Sequence, residues 1–167
     1  MSAVSLRPYL AADAARCAAI FRASVEELAS EDYSADQCAV WAARADDPGF
    51  PKRLGSALTL IALVDGAPAG FANLKGADAI DMLYVDPEFA RRGVGTALLD
   101  ALVRLAAARG AKALVSEVSD TARPLFERQG FQAQRRNLVQ LDDEWLANTT
   151  MTKHLAPADD ATESARH

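Results

Sequence analysis

Residues 80–99 run Ile80-Asp81-Met82-Leu83-Tyr84-Val85-Asp86-Pro87-Glu88-Phe89-Ala90-Arg91-Arg92-Gly93-Val94-Gly95-Thr96-Ala97-Leu98-Leu99, and their reading decides the fold. Ile80 to Val85 has the composition of a strand, Asp86-Pro87 breaks it, and from Val94 the apolar residues recur at helical spacing. A strand that enters a helix through a glycine-rich turn is anion-binding architecture. Gly93 and Gly95 leave the backbone bare, so N–H groups of the turn and of the first helical turn can converge on one phosphate, with the positive end of the helix dipole behind them. Arg91 and Arg92 add two fixed positive charges beside it.

Two familiar phosphate loops do not match. A Walker loop needs a Lys directly after its last glycine, and no Lys stands near Gly93. A dinucleotide fingerprint would find a ribose-binding acid in Glu117, at the end of the next expected strand, but its third glycine would fall on Leu98. The segment from Asp86 to Arg92 also separates strand from first glycine, where the dinucleotide turn is immediate, and the chain lacks a second set of parallel strand-helix units.

A second element lies one helix and one strand further on: Ser119-Asp120-Thr121-Ala122-Arg123-Pro124-Leu125-Phe126-Glu127-Arg128-Gln129-Gly130-Phe131. Together the two elements resemble the coenzyme A pyrophosphate loop and the following Asn-x-x-Ala-x-x-Phe-Tyr-x-x-x-Gly-Phe element of the GNAT superfamily of acetyltransferases. Arg135-Arg136-Asn137 and the ending Trp145 to Met151 look most like its YafP-like branch. The resemblance implies an α/β fold with a mixed, largely antiparallel sheet, splayed between the fourth and fifth strands and flanked by helices. It also implies direct transfer of an acetyl group from acetyl coenzyme A to a primary amine, whether small molecule, amino acid or peptide. On this chain the pantetheine arm would meet Leu83, Tyr84 and Val85, and the pyrophosphate would meet Arg91, Arg92, Gly93, Val94, Gly95 and Thr96. Ser119 would touch the arm or the sulfur, with Phe126 near the sulfur. Three positions depart from the pattern: Ala90 replaces a Gln or Arg, Ser119 the usual Asn, and Phe126 the Tyr that often protonates the departing thiolate.

An amine arrives protonated, so a base is needed. Glu117 and Asp81 are the carboxylates on the two strands at the splay, and each has the plainer reading of a strand charge paired with a base of opposite sign. Tyr84 and Ser119 are the candidate proton donors. Glu27, in the acidic run Glu26 to Asp36, and the aromatic residues Tyr33, Trp41 and Trp145 are candidate acceptor-binding residues, against the alternatives of a solvated helix face and ordinary core. Arg16 is expected to face solvent. With only His154 and His167 as histidines, no metal site or His-based triad is expected. Cys17 and Cys38 are expected to be packed, reduced thiols.

The chain of 167 residues, 50% hydrophobic, has the length for one core. Residues 1–155 are read as a single domain and 156–167, without apolar period, as a flexible tail. The net charge of −5 argues against nucleic acid or an anionic membrane surface as main partner. No leader or spanning run is visible, which suits a cytoplasmic protein. Oligomeric state stays open, a homodimer included. Expected elements are a strand at Leu6–Pro8, a helix over 11–28, a helix capped by Ser34 and reaching Ala45, and a hairpin of Leu58–Val64 and Ala69–Leu74 through Asp65-Gly66. After the strand 80–85 follow a helix over 94–109, a strand over 113–118, a short helix over 122–129, and closing strands over 131–141 and 149–155. The competing functional reading is a coenzyme A binding or sensor module without turnover, which Phe126 favours.

Overall fold

The computed structural model describes residues 3–155. Among these, β1 (Val4–Pro8), β2 (Leu58–Val64), β3 (Ala67–Lys75), β4 (Ala79–Val85), β5 (Ala113–Ser119), β6 (Gln132–Leu141) and β7 (Glu144–His154) form one sheet, ordered β1-β2-β3-β4-β5-β7-β6. Helices α1 (Ala14–Ala23), α2 (Ala35–Ala42) and α3 (Phe50–Gly55) precede β2, α4 (Val94–Ala108) joins β4 to β5, and α5 (Arg123–Arg128) joins β5 to β6. All neighbouring strands are antiparallel except β4 and β5. That parallel pair needs a crossover, which α4 supplies. The expected mixed, largely antiparallel sheet is therefore present.

Burial follows from the two faces. On one face α4 lays Leu98, Leu99 and Leu102 against Ala72 and Leu74 of β3. On the other, Ile20 and Phe21 of α1 and Phe50 and Leu54 of α3 cover Phe71 and Met82. The close approach of α4 to β3 rests on Gly70, where a Cβ would meet the Tyr84 carbonyl oxygen and Val94 Cγ1 at 2.9 Å each. The β2–β3 hairpin turns at Asp65 and Gly66, both at positive φ as a two-residue primed turn requires.

The splay has a local cause. Pairing of β3 with β4 slips between Asn73↔Met82 and Leu74↔Ile80, which leaves Asp81 as the extra residue of a bulge. Asn73, fully buried, fills the gap in the ladder by accepting the Met82 N–H on Oδ1 at 2.9 Å. Beyond the bulge β4 turns away from β5: the two share only Ala79↔Val115 and Ile80↔Ser116, although β4 continues to Val85 and β5 to Ser119. Among the described residues the β5-facing edge of residues 81–85 has no strand partner.

Several boundaries differ from the sequence expectation. The expected helix over 11–28 is divided into a 3₁₀ turn at Ala11–Asp13, α1, a π-helical turn at Ser24–Leu28 and a 3₁₀ turn at Ala29–Glu31. In the π turn the Ala29 N–H reaches back five residues to the Ser24 carbonyl, and Val25 and Ala29 are both buried. The Ser34–Gln37 capping box forms as expected, but α2 tightens into 3₁₀ after Ala42. Helix α3 has no counterpart in the sequence reading. β7 begins at Glu144 rather than at 149, so Trp145 is a strand residue paired with Gln140. The expected tail at 156–167 lies outside the described residues.

Because the atoms nearest a Cβ at Gly70 are backbone and a packed valine, Gly70→Ala is expected to destabilise the fold by about 1–3 kcal/mol through overpacking. Urea unfolding monitored by circular dichroism measures it, as a lower midpoint at unchanged m-value.

Candidate active site

The turn after β4 is built by its carboxylate. Asp86 caps the 3₁₀ turn Pro87–Phe89 by accepting the Glu88 N–H on Oδ1 at 3.0 Å, and on Oδ2 it takes an Arg16 guanidinium N–H at 2.6 Å. Arg16 is 43% exposed, as its sequence context suggests, yet its guanidinium ties α1 to the turn, and Asp86 is only 6% exposed. Arg91 and Gly93 both adopt left-handed backbone conformations, Gly93 as the N-cap of α4. The first-turn N–H groups of α4, at Val94, Gly95 and Thr96, have no intrahelical acceptors, as at any helix start.

Below this turn lies a cleft of about 430 Å³. Leu83, Tyr84 and Val85 form one wall, with Ser119, Ala122 and Leu125 opposite. Gly93, Val94, Gly95 and Thr96 roof one end, where Arg91 and Arg128 supply the charge. Arg92 does not line the cleft. Its guanidinium lies over the Phe89 ring, 5.7 Å from the centroid, whereas Arg128 at the end of α5 does line the cleft. Glycine at position 95 fits close passage of a ligand: a Cβ there would already press on Leu125 Cδ2 at 3.0 Å.

A smaller cavity of about 160 Å³ adjoins this cleft. The two share Trp41, Leu83, Tyr84, Ser119 and Ala122 as walls. Both candidate bases line the smaller one, in different states. Asp81 is gripped by the guanidinium of Arg53, Nη2 to Oδ1 at 3.1 Å and Nε to Oδ2 at 3.3 Å. Glu117 has no such cation among the described residues: Oε2 accepts from Asn137 Nδ2 at 2.8 Å and from Thr150 Oγ1 at 2.7 Å. Both bonds fall on one oxygen, and among the described residues Oε1 has none.

The other candidates divide. Ser119 Oγ accepts the Ala122 N–H at 3.1 Å and faces both spaces, keeping its own proton to donate. The Tyr84 ring packs edge-on against Phe21 at 4.5 Å, and burial pushes its hydroxyl up to about 12. Phe126 is 2% exposed, stacked edge-on with Phe131, and enters the wall of the smaller cavity only. Tyr33 and Trp41 wall that cavity too; the Tyr33 hydroxyl is fully engaged, donating to the Ala147 carbonyl at 2.6 Å and accepting the Asp120 N–H at 2.9 Å. Glu27 and Trp145 belong to neither space. Within the π turn and the residue that caps it, Val25 and Ala29 are buried and Glu27 is exposed to solvent. Strand alternation turns Leu146 into the core and Trp145 outward, 53% exposed.

Sequence reasoning missed Arg53, Asn137, Thr150 and Arg128. Only Arg128 had a local signal, as the basic residue of the last turn of a helix that begins in the second motif. Among the described residues no cluster of His, Cys, Asp and Glu could hold a metal. No helix among them is long and apolar enough to cross a membrane.

Comparison with known proteins agrees with this geometry. The family model described as an acetyltransferase (GNAT) domain matches residues 29–155. The uncharacterized N-acetyltransferase YafP of Escherichia coli is 34% identical over 151 residues, covering 90% of this chain and 96% of that protein. A crystal structure of a GCN5-related N-acetyltransferase from Rhodopseudomonas palustris superposes with a TM-score of 0.90 at 55% identity, over 93% of this chain and 98% of that one. PaiA N-acetyltransferase from Thermoplasma acidophilum, solved with coenzyme A, shares the fold at a TM-score of 0.72 and 16% identity, over 91% and 99% of the two chains. The chain belongs to the GNAT family of acetyltransferases and is an N-acetyltransferase of that family. The reading as a binding module without turnover gives way to it.

The cysteines offer no covalent route. Burial pushes the Cys17 thiol up to about 12 and raises that of Cys38, so both should resist thiol reagents at neutral pH until the protein unfolds. The linkage has a sign. Below an unfolded thiol pKa of 9.0 Cys17 is protonated in both states and stability is level; above it the unfolded chain ionises while the folded one does not. Stability should then fall between about pH 9 and pH 12 with a slope of up to about 1.4 kcal/mol per pH unit from this group. Cys17→Ser should flatten that slope in denaturant melts recorded across the range.

Proposed function

We propose that the chain transfers an acetyl group from acetyl coenzyme A to a primary amine by direct attack. The observation that carries this is the meeting of the two cavities: the cleft under the α4 N-terminus opens at Leu83, Tyr84 and Ser119 into the space that holds Glu117. The pyrophosphate would lie at the first-turn N–H groups of α4 between Arg91 and Arg128, and the pantetheine amides along the unpaired edge of β4. Complexes of relatives support this: PaiA was solved with coenzyme A, and YncA of Salmonella typhimurium with acetyl coenzyme A.

The reaction then follows from what each side chain can do. The acceptor enters as an ammonium ion, and Glu117 takes its proton directly or through one water. The freed lone pair of nitrogen attacks the thioester carbonyl carbon, and a backbone N–H at the free edge near Leu83 donates to the oxygen as negative charge develops. The carbon–sulfur bond breaks with its electrons leaving on sulfur, and the nitrogen gives up its second proton to solvent, which leaves a neutral amide. Tyr84 is poorly matched as the acid, since its hydroxyl, at about 12, is a weaker acid than a thiol at about 8.5. Ser119 donating a hydrogen bond to the sulfur, with solvent supplying the proton, needs no phenol at position 126. Asp81, neutralised by Arg53, shapes the site rather than moving protons.

Two measurements test this. Calorimetric titration should show Arg128→Ala weakening acetyl coenzyme A binding about tenfold or more, the loss of a charged hydrogen bond to phosphate, with Arg92→Ala near the native value; the reverse order would refute the placement of charge. Glu117→Gln should leave that affinity unchanged and lower kcat by about 10²–10⁴-fold near neutrality. Part of the loss should return at alkaline pH, where more acceptor is already neutral, and full activity across the pH range would remove Glu117 from the mechanism.

A further inference from the structure

The smaller cavity carries more information than the presence of a base. Among the described residues its only charged lining side chains are Asp81 and Glu117. Arg53 reaches Asp81 with two guanidinium nitrogens and cancels its charge, so the described lining presents one unbalanced negative charge, on Glu117, with no Lys, Arg or His in it.

The rest of the wall is largely apolar or already engaged. Tyr33 and Trp41 meet edge-on at 5.3 Å, and Trp41 and Tyr84 at 6.4 Å. Val139, Leu141 and Leu146 close the side formed by the β6–β7 hairpin. Most polar groups are engaged: Ser116 Oγ donates to the Ile80 carbonyl at 3.2 Å, the Tyr33 hydroxyl binds two backbone groups, and Asn148 Oδ1 accepts from Asn137 Nδ2 at 3.0 Å; Ser119 Oγ, at the junction with the larger cleft, keeps a proton to donate. A volume of about 160 Å³ is near the roughly 150 Å³ of an engineered cavity that accepts benzene.

We infer that the acceptor is a small apolar monocation, a primary amine on a hydrocarbon body about one aromatic ring in size, and that the site rejects amines bearing a carboxylate and amines bearing further positive charges. The inference rests on the acetyl-transfer reading above and narrows it to one class of acceptor. The ammonium ion pairs with the one unbalanced carboxylate and the hydrocarbon fills the aromatic and aliphatic wall. A carboxylate on the acceptor would enter beside Glu117 with no cation to meet it. A second ammonium group would meet apolar wall and no free carboxylate among the described lining residues, because Asp81 is already paired.

The test uses matched acceptors with the full chain and acetyl coenzyme A. Phenethylamine and phenylalanine differ by one carboxylate, and spermidine carries extra cationic groups. Thiol release, with mass detection of the N-acetyl product, should give phenethylamine a kcat/KM roughly tenfold or more above the other two. Val139→Arg, which places a cation on the hairpin wall, should narrow the gap between phenethylamine and phenylalanine about tenfold. Phenylalanine or spermidine turned over as well as phenethylamine would overturn the inference and leave acetyl transfer standing. Binding of acetyl coenzyme A with none of the three acetylated would also overturn the acceptor class, and no binding at all in calorimetry would overturn both readings.

Discussion

Met82 gives its N–H to the side chain of Asn73 instead of to a neighbouring main-chain carbonyl, and the rest of the site depends on that exchange. An antiparallel ladder does not accommodate an extra residue without leaving a backbone group unpaired. Here the extra residue is Asp81, and Asn73 Oδ1 satisfies the amide that the slip would otherwise orphan. The arrangement has a cost, since Asn73 is fully buried and its Nδ2 has no partner within the described residues. What the bend yields is a strand that starts beside β5 and then departs from it, so that main-chain donors and acceptors normally consumed in a ladder face a cleft. A continuous β4–β5 pairing would close the space in which both cavities lie.

The features legible in the sequence were those encoded within a few residues. The strand–turn–helix of residues 80–99, the Ser34–Gln37 capping box and the Asp65-Gly66 turn all carry local signals, and each formed. The open edge at Leu83 to Val85 followed from the family resemblance rather than from any residue pattern. What could not be read was whatever depends on meeting a distant partner. Whether Asp81 or Glu117 is free is decided by Arg53, 28 residues from Asp81, and by Asn137 and Thr150, 20 and 33 residues from Glu117. Glu27 and Trp145 were misplaced for a different reason. Each sits beside residues that do face inward: Val25 and Ala29 are buried next to exposed Glu27, and strand alternation turns Trp145 away from buried Leu146.

Charge is handled locally. The chain is acidic overall, yet three carboxylates around the site are each held by an arginine from another element: Asp86 by Arg16, Asp81 by Arg53 and Asp120 by Arg136. These pairs are partly exposed, and each contributes modestly to stability. Their larger effect is on the field inside the site. They remove negative charge from the path of an anionic cosubstrate while leaving Glu117, held by neutral donors, as the uncancelled carboxylate in the smaller space.

The shared walls have a consequence for how such a protein can diverge. Trp41, Leu83, Tyr84, Ser119 and Ala122 border both cavities, so a substitution at any of them that adapts the site to a new acceptor also disturbs the surface offered to the acyl donor. Val139, Leu141 and Leu146 border only the smaller one, and all three lie on the hairpin β6–β7, whose outer strand has no strand neighbour on its far side among the described residues. Freedom to change is thus unequally distributed: the centre of the sheet is answerable to two ligands at once, whereas the hairpin at its margin is answerable to one. Lineages of this architecture have a route to new chemistry at the periphery that leaves the common donor undisturbed.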